Sequence, residues 1–421
     1  MSAQRSYIPL ILMMIASSCT SMDRRETCQT CANEATVGCH TILTSVDANG
    51  QKCQHIDANP LFDNESFDFM SMVSDIQFIP LETKEESRLG HVTRLTVTDK
   101  NIVVADNNGI FCFDANGRFK DRRLYVGRNA TLRHDFALAP DGALTILSGD
   151  KLVQLPQQIE SALTAAPKAH NATQPILTSI CWQQSQLIAQ TTDGRHIVRD
   201  STGIKTEILL GGPSAPRLKV ESSIAMPRTD GNRALITNPL CDTIMALSNE
   251  GWQLAYVLNY ANRRIATNPE EEIDEADLMH RLTQDGSYYF AGEAIENEST
   301  LFFKLRTCRA RTIYAYFDRQ SQNLSGGIRP MADYVQMPPI FEPLAAYADY
   351  FVTLFHPYQV DDNQTSFRFK GTKIAEAEKD KIANVAHDDN PVVALFKVKP
   401  CNMVKLQETE SPTLSTDQTT R

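Results

Sequence analysis

The sequence predicts an all-β fold, a six-bladed β-propeller, and three observations carry that expectation. Short strands broken by tight turns fill residues 78–119, and the same rhythm returns about six times before the C-terminus. The turns recur at intervals close to the length of a four-stranded propeller blade, about 40–50 residues. The two ends of the repeat region each carry a strand without partners of its own, which is what a closing ring needs.

Taken in order, residues 73–81 read as a strand stopped near Pro80, and residues 92–98 alternate apolar and polar side chains as a half-buried strand does. A turn at Asp99-Lys100 leads into residues 101–105, and Asp106-Asn107-Asn108-Gly109 turns the chain into residues 110–113. Asp114-Ala115-Asn116-Gly117 is the next turn, its Asn-Gly pair suited to positive φ. The first of these turns recurs as Pro140-Asp141-Gly142, Gln183-Gln184-Ser185, Thr229-Asp230-Gly231, Glu296-Asn297-Glu298 and Ala348-Asp349. With residues 99, 141, 184, 230, 297 and 348 as markers, the intervals are 42, 43, 46, 67 and 51. The long interval holds a predicted helix over 268–282, with Asn268 as N-cap, Pro269 at its first position and acids at the positive end of its dipole. Subtracting its roughly 15–20 residues restores blade length and gives six units. A second short helix is predicted over 373–385, followed by a late strand over 390–399. That strand and residues 73–81 are expected to share one sheet, which closes the ring and removes exposed edges.

Ahead of the repeats lies an export signal. Residues 1–18 carry one charge, Arg5, then an apolar run over 8–15 and small residues up to Cys19. The run is too short to span a bilayer, which needs about 20 apolar residues. The predicted organisation is a lipoprotein signal over 1–18, a linker with clustered cysteines over 19–70, the propeller over 71–402 and a disordered tail over 403–421. Beyond residue 18 the chain has 40 Lys+Arg against 51 Asp+Glu. That balance supplies no basic stripe for nucleic acid and no electrostatic grip on anionic lipid. Acyl chains on Cys19 would be the anchor, and two or three of them hold durably.

Cys28, Cys31, Cys39 and Cys53 form the cluster in the linker. Cys28 and Cys31 have the spacing of half a zinc site, with His40 and His55 nearby, but the later spacings give no second close pair. Two disulfides in an oxidising compartment are the simpler outcome, with an unbonded tether and a metal site as the alternatives. Cys112, Cys181, Cys241, Cys308 and Cys401 are scattered and read as small buried residues of strands.

Several stretches resemble a known family, the six-bladed β-propeller lipoproteins of Bacteroidota. Phe78-Ile79-Pro80-Leu81-Glu82-Thr83 followed by Gly90 is similar to the family's opening strand, and residues 102–119 to its first blade. Residues 387–399, with Asp389-Asn390-Pro391, resemble its closing strand, and Cys19 with the residues before it resembles a lipobox in which Ala16 replaces the common Leu. The likeness covers residues 1–19 and 73–400; residues 20–60 depart from the family's short linker, and glycine-rich motifs are absent at Gly127-Arg128-Asn129. The resemblance implies the fold, export, an outer-membrane lipoprotein and lipidation of Cys19; residues 20–26 hold no dense acidic cluster after Cys19, which favours the periplasmic side. The resemblance implies no common reaction.

Propellers gather ligands on their axis, so acids near blade turns are the candidates for chemistry. Glu82, Asp106, Asp114, Asp193 and Asp242, with Asn107 and Asn238, could hold calcium in a hydrolase or lyase acting on a lactone or glycan. The plainer account is that Asp and Asn favour turns. His91, His134, His196, His280 and His356 lack the spacing of a metal or catalytic pair, and no nucleophile elbow, Walker loop or zincin motif occurs. Trp182 and Trp252 are expected to pack between blades. The sequence therefore favours a binding or interaction module, with an envelope protein or glycan as partner, over an enzyme.

Overall fold

The computed structural model describes residues 44–46, 52–124, 134–139, 143–148, 151–155, 168–171, 177–183, 186–191, 195–199, 205–209, 217–219, 234–248, 251–268, 271–307, 311–330, 340–357 and 374–399. Six sheets of at least four strands follow one another. Blade 1 comprises Val92–Val97, Asn101–Asp106, Gly109–Asp114 and Phe119–Leu124. Blade 2 comprises His134–Leu138, Leu144–Ser148, Lys151–Leu155 and Lys168–Asn171. Blade 3 comprises Leu177–Gln183, Gln186–Thr191, Arg195–Arg199 and Lys205–Leu209. Blade 4 has Ala234–Ile236, Thr243–Ser248 and Gly251–Asn259 as its own strands. Blade 5 comprises Tyr289–Glu296, Thr300–Arg306, Thr312–Asp318 and Leu324–Gly327. Blade 6 is built from Ala345–Tyr347, Tyr350–Phe355, Val392–Val398 and Val73–Pro80. The first strand of each blade touches the first strand of the next, and that of blade 6 touches that of blade 1, so the inner strands form a closed ring.

The ring is closed as the sequence predicts. Val73–Pro80 pairs antiparallel with Val392–Val398, from Val392↔Pro80 to Val398↔Val73, so the two ends of the repeat region share blade 6. Asn390, buried at the head of the closing strand, fastens this sheet to the segment entering blade 1. Its Nδ2 donates to the carbonyl oxygens of Glu82 at 2.8 Å and Ser87 at 2.9 Å, and its Oδ1 accepts from the Leu89 N–H at 2.9 Å.

Strand chemistry explains why no blade stands alone. In Asn101–Asp106 the side chains from Ile102 to Asp106 are all buried, and alternation divides them between two interfaces. Ile102 and Val104 pack with Val352, Val393 and Leu395 of blade 6, whereas Val103 and Ala105 pack with Phe136, Leu144 and Ile146 of blade 2. Phe302 likewise faces blade 6 and Phe303 faces blade 4. Six of the apolar clusters each fill one junction between neighbouring blades. Burying each such large side chain stabilises the fold by about 1.5–3 kcal/mol, and that gain exists only when both neighbours are in place.

The linker expectation is corrected for its last third. Residues 52–80 run as a belt along the rims of three blades. Lys52–Asp57 pairs parallel with Gly251–Asn259 and serves as the fourth strand that blade 4 lacks, and Thr44–Val46 adds a fifth. Asn64 bonds the backbone of Gly326 and Ile328 next to blade 5, and Ser66–Phe67 pairs with Arg329–Pro330. The short helix α1, Phe69–Met72, capped by Asp68, then delivers the chain into blade 6. Apolar residues spaced through the polar segment make this possible: Ile56, Leu61, Phe67 and Phe69 are all buried.

Two element boundaries also differ. The marker at Asp230 precedes the first strand of blade 4, Ala234–Ile236, and the turn after that strand spans residues 237–242 around Asn238-Pro239, with Leu240 at φ 63°. Asn-Pro competes with Thr-Asp-Gly as a turn signal, and the chain uses it there. The helix of the long interval, α2, spans Glu275–Asp285 and is capped by Asp274 rather than Asn268; Asp274 Oδ1 accepts from Asp277 N–H at 2.8 Å. Residues 272–274 go instead into a short parallel pairing with Arg217–Lys219. The second predicted helix appears as α3, Glu376–Ala383. Residues 1–43 and 400–421, including the signal and the tail, lie outside the described residues.

Candidate binding site on the ring axis

Three inner strands bring one polar cluster together. Arg94 stands on the first strand of blade 1, Asp135 on that of blade 2, and Ser179 with Ile180 on that of blade 3. Arg94 Nη1 donates to Asp135 Oδ2 at 2.5 Å and to the Ile180 carbonyl at 2.6 Å. Asp135 Oδ2 also accepts from Ser179 Oγ at 2.9 Å and Ile180 N–H at 2.8 Å, and its Oδ1 from Phe136 N–H at 2.9 Å. The Arg94 guanidinium lies 5.3 Å from the centre of the Phe136 ring. Arg94 is 5% and Asp135 7% exposed. A buried pair survives desolvation only when hydrogen bonds satisfy both partners; the carboxylate has them, but Arg94 Nε is sealed from solvent without an acceptor.

Two further charged groups occupy blade junctions. Buried Lys304 of blade 5 lies 3.1 Å from Glu293 Oε1 and also pairs with Glu342, while Arg306 holds Glu293 through Nε at 2.8 Å and Nη2 at 2.6 Å. In the turn of blade 4, Asp242 accepts from Tyr260 Oη at 2.6 Å and pairs with Arg264 at 2.9 Å. Burial pushes the Asp242 carboxyl above its ordinary pKa, and Arg264 and Tyr260 offset part of that rise.

The acids singled out in the sequence serve separate places. Asp106 caps its turn, Oδ1 accepting from Asn108 N–H at 2.7 Å and Gly109 N–H at 2.8 Å, and Oδ2 from Gly90 N–H at 2.7 Å. Asp114 Oδ1 does the same for Asn116 and Arg118, at 2.8 and 2.9 Å. Glu82 accepts from Phe119 N–H at 2.8 Å, and bonding to Lys84, with that N–H second, holds its carboxyl below the ordinary value. Asn107 Oδ1 crowds Gly90, and Asn238 Oδ1 is buried without an acceptor's partner. Asp193 lies outside the described residues. Among the described residues no three His, Cys, Asp or Glu side chains stand together as a metal holder.

Of the clustered cysteines only Cys53 falls within the described residues; it is fully buried on the belt strand, and Cys19, Cys28, Cys31 and Cys39 lie outside them. Cys112 and Cys181 are buried in strands, but Cys241 sits half-buried in the blade 4 turn. His91 is exposed, and burial, then the neighbouring His91, lowers the pKa of half-buried His356. His280 is exposed on α2, while His134 and His196 stand in strands of blades 2 and 3. Trp182 Nε1 donates to Thr145 Oγ1 of blade 2 at 3.0 Å, bridging two blades as expected; Trp252 stands in the third strand of blade 4. Sequence reasoning missed Arg94. Its signal is a slip in alternation, since the apolar positions move from Val92 to Leu95 and Val97, and the pairing shifts register between Val92 and Arg94.

Comparison with known proteins agrees with this architecture. The model of a family described as 6-bladed beta-propeller matches residues 49–123, from the belt strand through blade 1. Residues 49–60 therefore belong to the matched span, although in sequence they looked set apart. A crystal structure of a Bacteroides fragilis protein described as exported is similar at 12% identity and a TM-score of 0.60, covering 82% of this chain and 99% of that one. A Bacteroides caccae protein of unknown function shares 9% identity over 54% of this chain and 77% of its own, at a TM-score of 0.34. BamB of Moraxella catarrhalis shares 13% over 60% of this chain and 66% of its own, at 0.29. A search of curated proteins finds no match.

Proposed function

From the premise that the chain is a six-bladed β-propeller, we propose that it is a lipid-anchored binding module of the cell envelope. The observation that carries this reading is the closed ring, whose inner strands join three blades through one hydrogen-bonded cluster, while the acids suited to metal chemistry are spread among turns and ion pairs. The anchor is acylated Cys19, and the belt strand Lys52–Asp57 fixes the chain that follows it to blade 4. Among the described residues no helix is long and apolar enough to cross a membrane. The partner is an envelope protein or glycan, and the propeller faces the periplasm.

Labelling cells with a palmitate analogue tests the anchor. Label on the wild-type chain that disappears in Cys19→Ala, with release of the protein from the membrane fraction, is the expected result; label that persists refutes it. Protease added to intact cells should leave the propeller uncut. Crosslinking of the full chain in cells should capture a partner set distinct from that of another lipoprotein with the same kind of anchor. Identical sets would refute the binding role.

A further inference from the structure

We infer that residues 52–72 form a strap, fastened at its Val73 end, that leaves blades 4, 5 and 6 as one unit. The strap stands apart from the binding role and the anchor, because the contacts that hold it lie within residues 52–399. Lys52–Asp57 lies along Gly251–Asn259 through four parallel pairs, Gln54↔Tyr256 to Asp57↔Asn259, and Ala58 N–H donates to the Asn259 carbonyl at 2.8 Å. Ile56, Leu61 and Phe62 fill the junction of blades 4 and 5, with the Phe62 ring 4.8 Å from that of Tyr288. Asn64 then crosses blade 5, its carbonyl accepting from Ile328 N–H at 3.0 Å and its Nδ2 donating to the Gly326 carbonyl at 3.2 Å. It passes so close that a Cβ on Gly327 would lie 2.7 Å from the Asn64 carbonyl oxygen. Phe67, Phe69 and Met72 fill the junction of blades 5 and 6, the Phe69 ring standing 5.9 Å from Tyr316 of blade 5 and 5.7 Å from Phe396 of blade 6. The Met72 carbonyl accepts from Lys399 N–H at 2.8 Å.

Two features make these ties one unit rather than a row of separate contacts. They recur every few residues with no slack loop between them, so a residue that lifts away drags on the next. Blade 5 is also gripped from both sides and across its outer strand by the same run of chain, so losing Leu61 from one junction loosens the frame on which Asn64 and Phe67 rest. Contiguous elements coupled in this way open together as a local cooperative unit. Opening starts at Lys52, where the pairing is short and parallel, the weaker kind per residue. It stops at Val73, where the chain enters the longer antiparallel ladder with Val392–Val398 and where Phe78 N–H also donates to Glu378 of α3 at 2.7 Å. Once released, the strap uncovers the outer edge of Gly251–Asn259 and the apolar sides of two junctions, a surface of the kind that takes up an added strand.

Deuterium exchange of the purified full chain, read by mass spectrometry at about pH 9 in mild urea, where exchange outruns reclosing, tests the strap. Peptides covering residues 54–60, 61–67 and 68–72 should each show two isotope envelopes, the heavier one growing at one common rate in all three. The peptide covering residues 74–80 should keep its protection over the same time. Ile56→Asp removes a side chain that touches only the junction of blades 4 and 5, yet it should speed the heavier envelope about tenfold in all three peptides, including the one that holds Phe69. Three different rates, a gradual shift with no second envelope, or loss of protection at residues 74–80 at the same rate would each overturn the proposal. The wild-type rates decide the matter even if the Asp variant does not fold.

Discussion

Removing the Asn390 side chain should loosen the ring at its seam. In Asn390→Ala three hydrogen bonds are lost, from Nδ2 to the Glu82 and Ser87 carbonyls and to Oδ1 from Leu89 N–H, all between 2.8 and 2.9 Å. The backbone N–H of Asn390 keeps its bond to Thr83 Oγ1, so the loss belongs to the side chain. Asn390 is only 3% exposed, which hinders water from replacing the amide. At about 1 kcal/mol net for each bond the cost is about 3 kcal/mol. Unfolding entropy near 2.1 cal/mol/K per residue, over about 330 propeller residues, gives about 0.7 kcal/mol/K, so Tm should fall by about 4 °C. Calorimetry of the full chain, with urea titration at fixed temperature, measures both quantities. Asn390→Asp keeps the acceptor for Leu89 but sets a carboxylate against two carbonyl oxygens, so at neutral pH it should cost more than Ala. A loss below about 0.5 kcal/mol for Ala, or an Asp variant as stable as wild type, would refute the idea that this amide holds the seam.

Three other outcomes follow from the same geometry. Gly117 has φ 83°, and a Cβ there would lie 2.2 Å from the Pro80 carbonyl oxygen; Gly117→Ala should cost about 1–3 kcal/mol by denaturant titration. Ile56 is buried on the belt strand that completes blade 4, so Ile56→Asp should release the belt, raise proteolysis within residues 44–70 and cause concentration-dependent light scattering as the blade 4 edge is exposed. Glu271 is held at about 2, from 4.5, mainly by its hydrogen bonds to Arg281 of α2. A depressed carboxylate contributes fully above its unfolded value and loses that contribution as pH falls. Exchange-in of deuterium along α2, corrected for intrinsic rate, should therefore rise between about pH 4.5 and 2, and Glu271→Gln should show the faster exchange already at pH 7.

The turns and the inner blades were legible because local chemistry dictates them. The turn at Asn116-Gly117 takes its positive φ at Gly117, and a run such as Ile102-Val103-Val104-Ala105 is apolar throughout because each face meets a different blade. The belt was not legible, since its partners lie some 200 residues away: Gln54 pairs with Tyr256 and Ile56 with Leu258. Nothing in Lys52-Cys53-Gln54-His55-Ile56-Asp57 announces that blade 4 has no fourth strand of its own. The gap shows only after Gly251–Asn259, where the chain enters α2 instead of turning back.

The same distance problem hid the axis. An acid in a turn is visible in sequence because one of its oxygens is met within four residues, as are Oδ1 of Asp106 and Oδ1 of Asp114. That nearness is also why such residues make poor evidence for chemistry: their oxygens are already committed by local structure. Arg94 is the opposite case, its partners 41 and 86 residues onward and on two other blades. A charge at an inward position of an inner strand has no local role to satisfy it, so whatever justifies its burial must come from the assembled ring. In a closed repeat protein the positions worth probing are therefore those where the strand pattern breaks without a turn nearby, and here that reasoning leads from the register shift at Val92 to the unpaired Nε of Arg94.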